Sequence, residues 1–202
     1  MELNSLIKGK VTGHVVNSRK DFLDLNGSII NLDYIGPDWY HDISYSPNLI
    51  SKSVISINAN NYNFTGGAHG NSHITGLNYH LDPLFIINIE ELFSYKDHDN
   101  VLAFLSSYCH EELKKIYIDW LDIDTTSEEF NPDTIFWEGS LTPEWKNFSN
   151  YFISKNGLEI IFNTYSVSSY AFGLHIIPIH YEQFIKVIED TEQIQSLIEK
   201  LK

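Results

Sequence analysis

The chain has 202 residues, 43% of them hydrophobic and 14% aromatic, enough apolar surface for one folded domain of ordinary size. Thirteen Lys and Arg stand against 27 Asp and Glu, a net charge of −14, the wrong balance for gripping nucleic-acid phosphates or an anionic membrane surface. The single cysteine, Cys109, excludes an internal disulfide, and no apolar run reaches the length of a membrane span, so membrane insertion is not expected.

In chain order, MELNSLIKGK lacks the apolar stretch of a secretory signal. The expectation is a cytoplasmic chain as written, or an extracytoplasmic one if a signal has been removed. The part to about Tyr45 reads as strand-rich. VTGHVV comes first, and DFLDL and SIINLDYI then flank Asn26-Gly27, a dipeptide suited to the positive φ angles of a tight hairpin. Pro37 and Pro47 punctuate a loop that carries Trp39, Tyr40 and Tyr45.

In SVISINANNYNF, Ile55, Ile57 and Ala59 alternate on one face, and Tyr62 and Phe64 continue on the other parity. One extra residue near Asn60 and Asn61, a bulge, explains the switch. ITGLNYHLD follows as the partner strand, so the pair forms a hairpin bent around TGGAHGNS.

At Asn88 the pattern turns helical, with Glu91 placed as in a capping box. A long helix is expected from about Asp99 to Leu121, with Leu102, Leu105, Cys109, Leu113, Ile116 and Trp120 as its apolar face. Glu111 and Lys115 are spaced as a supporting pair. From Ile116 to Trp145 there is no Lys or Arg. Asp119, Asp122, Asp124, Glu128, Glu129, Asp133, Glu138 and Glu144 share that stretch with Trp120, Phe130, Phe136, Trp137 and Trp145.

The last third returns to strands. NFSNYFISKNGLEIIFNTY reads as a hairpin across Lys155-Asn156-Gly157, with Leu158, Ile160 and Phe162 on one face. Pro178 inside HIIPI marks an edge strand. Residues 185–202 form a helical tail, with Ile194, Leu197, Ile198 and Leu201 at helical spacing. The expected architecture is α+β, a mainly antiparallel sheet with one long and several short helices packed on it, in a single domain over 1–202.

His69, His73 and His80 are the obvious metal candidates, but the glycines around them oppose a helix that would aim two imidazoles at one ion, and no zinc pattern is present. DIDTTSEE lacks the glycine and spacing of a calcium loop. No metal and no other cofactor is expected. A nucleophile elbow is missing, and Cys109 sits inside the long helix. Gly66 and Gly67 are assigned to turn geometry, where positive φ and close backbone approach need glycine. No catalytic residue is assigned, and the chain is read as a non-enzyme.

Three stretches in order, SVISINANNYNFTGGAHGN, LNYHLDPLFIINIEELF and NFSNYFISKNGLEIIFNTYSVSSYAFGLHIIPIHYEQF, resemble the RsiV-like family. These are the extracytoplasmic domains of lysozyme-sensing anti-sigma factors, and they also accompany some peptidoglycan deacetylases. The resemblance is strongest over 49–184. It implies an α+β domain that binds rather than catalyses, with surface loops that engage lysozyme, a cationic muramidase. The family's closing signature falls on Tyr165, Val167, Ser168, Ser169, Tyr170, Ala171 and Gly173, with Ser168 and Ser169 where the family has Ala-Pro.

The expected partner-binding residues are Ser169, Tyr170, Phe172, His69, Trp137 and Glu138. The expected function is a lysozyme-binding, inhibitor-like domain, or a bacterial immunity protein that neutralises a toxin. In either case the partner is a cationic protein that the acidic surface attracts. The alternative is a peptidoglycan- or carbohydrate-active enzyme, or a sugar-binding accessory module.

Overall fold

The computed structural model describes residues 3–5, 7–13, 16–17, 40–65, 68–121 and 132–201. They fall in two compact units, Met1–Ser44 with Asn61–Asn71, and Tyr45–Asn60 with Ser72–Lys202. The architecture is α+β. Strands β1 (Tyr40–Ile50), β2 (Val54–Phe64), β3 (Asn71–Leu81) and β4 (Leu84–Ile86) make one antiparallel sheet in that order. Strands β5 (Tyr151–Ile153), β6 (Gly157–Phe162) and β7 (His175–His180) make a second. In the second unit four α-helices accompany them among the described residues: α1 (His98–Leu121), α2 (Trp145–Phe148), α3 (Tyr181–Ile185) and α4 (Glu192–Lys200).

In the first unit, residues 3–5, 7–13 and 16–17 are helical. This corrects the strand expected at VTGHVV. Leu3, Ile7 and Val11 recur every four residues and are the half-buried positions, while Lys8, Lys10 and Thr12 are exposed. That stripe outweighs the short run of β-branched residues after it. The Asn26-Gly27 hairpin and the Gly66-Gly67 turn lie outside the described residues.

The loop expected around Pro47 is instead part of β1. His41, Ile43 and Tyr45 are half-buried and alternate with exposed Asp42, Ser44 and Ser46, the period-two signature of a strand. Pro47 fits because β1 is at the edge of its sheet.

The core of the second unit forms where α1 packs on β7. Val101, Leu105, Cys109, Leu113 and Tyr117 are its buried residues, facing Leu158, Ile160, Phe162, Ile177 and Ile179. Each such side chain contributes about 1.5–3 kcal/mol when fully buried. The spacing is four throughout, so the stripe turns by about 40° per step around a helix of 3.6 residues per turn. It therefore leaves the expected face: Leu102 is half-buried, and Ile116 and Trp120 are exposed. The ion pair also differs from expectation. Lys115 pairs with Glu112 at 2.6 Å, and Glu111 lies 3.5 Å from His110.

The β5–β6 hairpin has the expected turn, with Tyr151 opposite Ile160 and Ile153 opposite Leu158. β7 is an edge strand, and Pro178 faces Glu159. Gly157 is required by space, since a Cβ there would sit 2.0 Å from the Ile179 carbonyl oxygen. The capping box at Asn88 is present, with the Asn88 N–H donating to the Glu91 carboxylate at 3.0 Å.

Asparagine side chains join the two sheets. β4 pairs with β3 only at Tyr79–Leu81, so the rest of that edge needs other hydrogen-bond partners. Asn163 and Asn150 supply them. The Ile74 N–H donates to Asn163 Oδ1 (2.7 Å), and the Gly76 N–H to Asn150 Oδ1 (2.9 Å). Both amides donate back to the Ile74 carbonyl, at 2.9 and 2.8 Å. Asn78 does the reverse from β3, donating to the Tyr151 carbonyl (2.8 Å) and accepting from the Ile153 N–H (3.1 Å). The approach is so close that a Cβ on Gly76 would lie 1.8 Å from the Tyr151 carbonyl oxygen.

Candidate functional site

The last turns of α1 anchor a surface rich in rings. Tyr117 is buried, and its hydroxyl lies 2.9 Å from the buried Ser168 hydroxyl. Burial pushes the Tyr117 pKa up, and the bond to Ser168 acts the other way. Its ring meets Phe172 at 4.3 Å and Phe136 at 5.5 Å. Phe172 reaches the exposed Trp120 at 5.2 Å. One buried tyrosine thus holds the segment before β7 against the helix end.

That segment has two tight turns. In the first, the Ser166 N–H donates to the Asn163 carbonyl at 2.9 Å, and Tyr165 takes φ 68°. A non-glycine residue is uncommon there, and its ring is 55% exposed. The second opens at Ser169 and runs through a short 3-10 helix, Tyr170–Phe172. Gly173 ends it at φ 75°, with open space where a Cβ would be, so glycine serves the backbone angle alone. The Tyr165 and Tyr170 rings lie 5.5 Å apart.

Trp137 joins this surface through its backbone. Its N–H donates to the Val167 carbonyl at 2.8 Å, while the side chain is 49% exposed. Glu138 beside it is exposed. Ser169, Tyr170 and Phe172 therefore share one turn, and Trp137, with Glu138 next to it in sequence, is tied by its backbone to the bend that leads into it.

His69 belongs to the other unit, exposed, with Nδ1 3.2 Å from the Gly70 carbonyl oxygen. The remaining candidate histidines have separate roles. His73 Nε2 faces the Asn163 amide at 3.3 Å. His80 stacks on Phe85 at 4.8 Å and meets the Pro83 carbonyl at 3.1 Å. Among the described residues no group of three His, Cys, Asp or Glu is placed to hold a metal ion. Cys109 is fully buried, and burial raises its thiol pKa far above neutrality.

Beneath the second turn, His175 packs edge-on to Tyr117 at 5.1 Å. Its Nε2 is buried without a hydrogen-bond partner among the described residues. Burial lowers its pKa, and the Phe172 backbone acts in the opposite sense. A neutral imidazole therefore supports the turn from below.

Trp120 is a surface ring, although helical spacing with Leu113 and Ile116 points to the buried face. The signal that finds it is the run of fours from Val101 to Tyr117, which places Trp120 off the stripe. The sheet-joining roles of Asn150 and Asn163 have no periodic signal, because both residues flank strands and bond to backbone far away in sequence.

Residues 90–182 match a family model described as "Protein of unknown function (DUF3298)". This lies inside the 49–184 stretch on which the resemblance rests, and it contains the whole aromatic surface. The chain is 30% identical over 129 residues to the peptidoglycan-N-acetylmuramic acid deacetylase PdaC of Bacillus subtilis (strain 168). The alignment takes in 64% of this chain and 25% of that protein, so the chain spans about a quarter of its relative. In fold the chain is similar to a DUF3298 family member from Bacteroides fragilis NCTC 9343, with a TM-score of 0.60 at 22% identity, covering 100% of this chain and 74% of the other. A DUF3298 family protein from Pseudomonas aeruginosa PAO1 gives a TM-score of 0.53 at 16% identity, covering 79% and 66%.

Proposed function

We propose that this is a non-catalytic binding domain of the RsiV-like type. Its aromatic turn engages a cationic protein, a lysozyme-like muramidase in the first instance and a bacterial toxin in the second. The observation that carries the reading is that Phe172 packs on buried Tyr117 and reaches the exposed Trp120, while the same segment carries the Tyr165–Tyr170 ring pair and accepts the Trp137 N–H at Val167. Rings held in place by a rigid support lose little freedom on binding and are common interface anchors.

Charge supports the same reading. Asp119 and Glu138 are exposed beside the rings, and the stretch Ile116–Trp145 has no basic residue. Such a surface speeds the arrival of a basic partner and repels acidic ones. The partial likeness to a peptidoglycan deacetylase supports a cell-wall setting, where muramidases act. The deacetylase activity is a property of that relative, of which this chain spans only a quarter.

A calorimetric titration of the purified chain with a cationic lysozyme, at low and at high salt, tests the proposal. The expected result is a saturable one-to-one complex whose affinity falls as salt rises. If lysozyme does not bind, capture of a basic toxin is the remaining form of the proposal. No saturable complex with either class of cationic protein overturns it.

A further inference from the structure

We infer that a cleft in the second unit, beside the aromatic turn, binds a neutral saccharide chain. Its volume is about 450 Å³, and its lining includes His73, Thr75 and Gly76 of β3, Asn147 and Asn150 around α2, and Ser166. This is within the ~300–1,000 Å³ typical of small-molecule sites.

Charge narrows the ligand class first. The chain has 27 acidic residues, yet among the described residues no Asp or Glu lines the cleft. Its one lysine, Lys146, is held by Glu144 at 2.6 Å. The other titratable group among the described lining residues is His73, whose Nε2 faces the Asn163 amide at 3.3 Å, so the cleft suits a neutral ligand better than a charged one.

Hydrogen-bonding capacity narrows it again. Asn150 and Asn163 are committed to the β3 backbone, which makes the cleft wall rigid. Asn147 donates through Nδ2 to the Gly139 and Thr142 carbonyls and to Thr142 Oγ1. That fixes its amide and leaves Oδ1 as an acceptor with no partner among the described residues. The Thr75 and Ser166 hydroxyls likewise have no partner among the described residues. Two groups that both donate and accept, beside a fixed amide acceptor, match the hydroxyls of a sugar.

This cleft is separate from the protein-binding proposal and stands without it.

The test is a ¹⁵N chemical-shift titration of the full chain with two neutral probes, chitotetraose and maltotetraose. At least one is expected to give saturable shifts centred on Thr75, Asn147, Asn163 and Ser166. Thr75→Val and Ser166→Ala should each weaken that binding about fivefold, the effect of one lost neutral hydrogen bond. Neither variant should move the melting temperature or lysozyme binding, and Tyr170→Ala should leave the saccharide affinity unchanged. No saturable shift with either probe up to about 10 mM, or binding that persists unaltered in both hydroxyl variants, overturns the inference.

Discussion

Asn163 clasps Ile74 at two points, accepting its N–H at 2.7 Å and donating to its carbonyl at 2.9 Å. A side-chain amide here stands in for a neighbouring strand, on an edge that β4 is too short to cover. Residue 163 is also the first residue of the turn that presents Tyr165. The clasp thus links the joining of the sheets to the presentation of the candidate binding surface.

Replacing Asn163 by alanine leaves the Ile74 N–H without its acceptor, while Asn150 still reaches the carbonyl. The expected loss is about 1–3 kcal/mol of folding stability, read from urea unfolding. Asn163→Asp keeps the acceptor but sets a carboxylate oxygen against the Ile74 carbonyl in a buried position, so near neutral pH it should cost at least as much as alanine. Equal stability of wild type and alanine variant would show that the clasp adds nothing.

Gly76→Ala is expected to be far more damaging than its size suggests. The added methyl would lie 1.8 Å from the backbone oxygen of Tyr151, and backbone on both sides must move. Overpacking of this kind costs typically about 1–3 kcal/mol and sometimes more. Gly139→Ala is the control, having open space but φ 78°, with an expected cost of about 1–2 kcal/mol. Thermal melts of the two variants rank them.

Asp97 and His175 both contribute to the acid limb of stability. Buried Asp97 accepts the N–H groups of Glu189 (2.8 Å) and Asp190 (3.0 Å). The Glu189 bond is the main reason its carboxyl pKa is lowered. A carboxylate with a lowered folded pKa adds stability above its unfolded value, about 3.9. That stability is lost as pH falls through the folded value. His175 also has a lowered folded pKa. Its contribution is complete above the unfolded value near 6.5 and declines as pH drops below it toward the folded value. Urea midpoints should therefore fall in two steps on acidification, and Asp97→Asn should remove the lower step only.

Glu138→Lys is expected to weaken a cationic partner mainly by slowing association, and to flatten the salt dependence of the on-rate. Stopped-flow binding at several ionic strengths measures both. An unchanged salt slope would remove Glu138 from the encounter surface.

Much of this fold is legible in the chain. The β5–β6 hairpin is visible in Leu158, Ile160 and Phe162, the edge strand in Pro178, and the capping box in Asn88 and Glu91. These signals are local, with a few residues fixing one backbone geometry. What escapes is set by distant groups. The α1 face was misplaced because a stripe of fours winds about the helix, and only packing on β7 shows where it ends. VTGHVV taken alone points to a strand, whereas Leu3 and Ile7 extend it into a helical stripe. Of the six expected binding residues, five lie on or beside the Tyr170 turn, placed there largely by a motif resemblance. The Asn150, Asn163 and Gly76 seam rests on backbone partners far off in sequence and left no pattern to read.

The most direct test of the binding account compares wild type and Tyr170→Ala in titrations with a cationic lysozyme, with circular dichroism and melting temperature as controls. The account predicts a saturable wild-type complex and at least about a tenfold loss of affinity in the variant, with its fold unchanged. Equal affinities for the two well-folded proteins would contradict it.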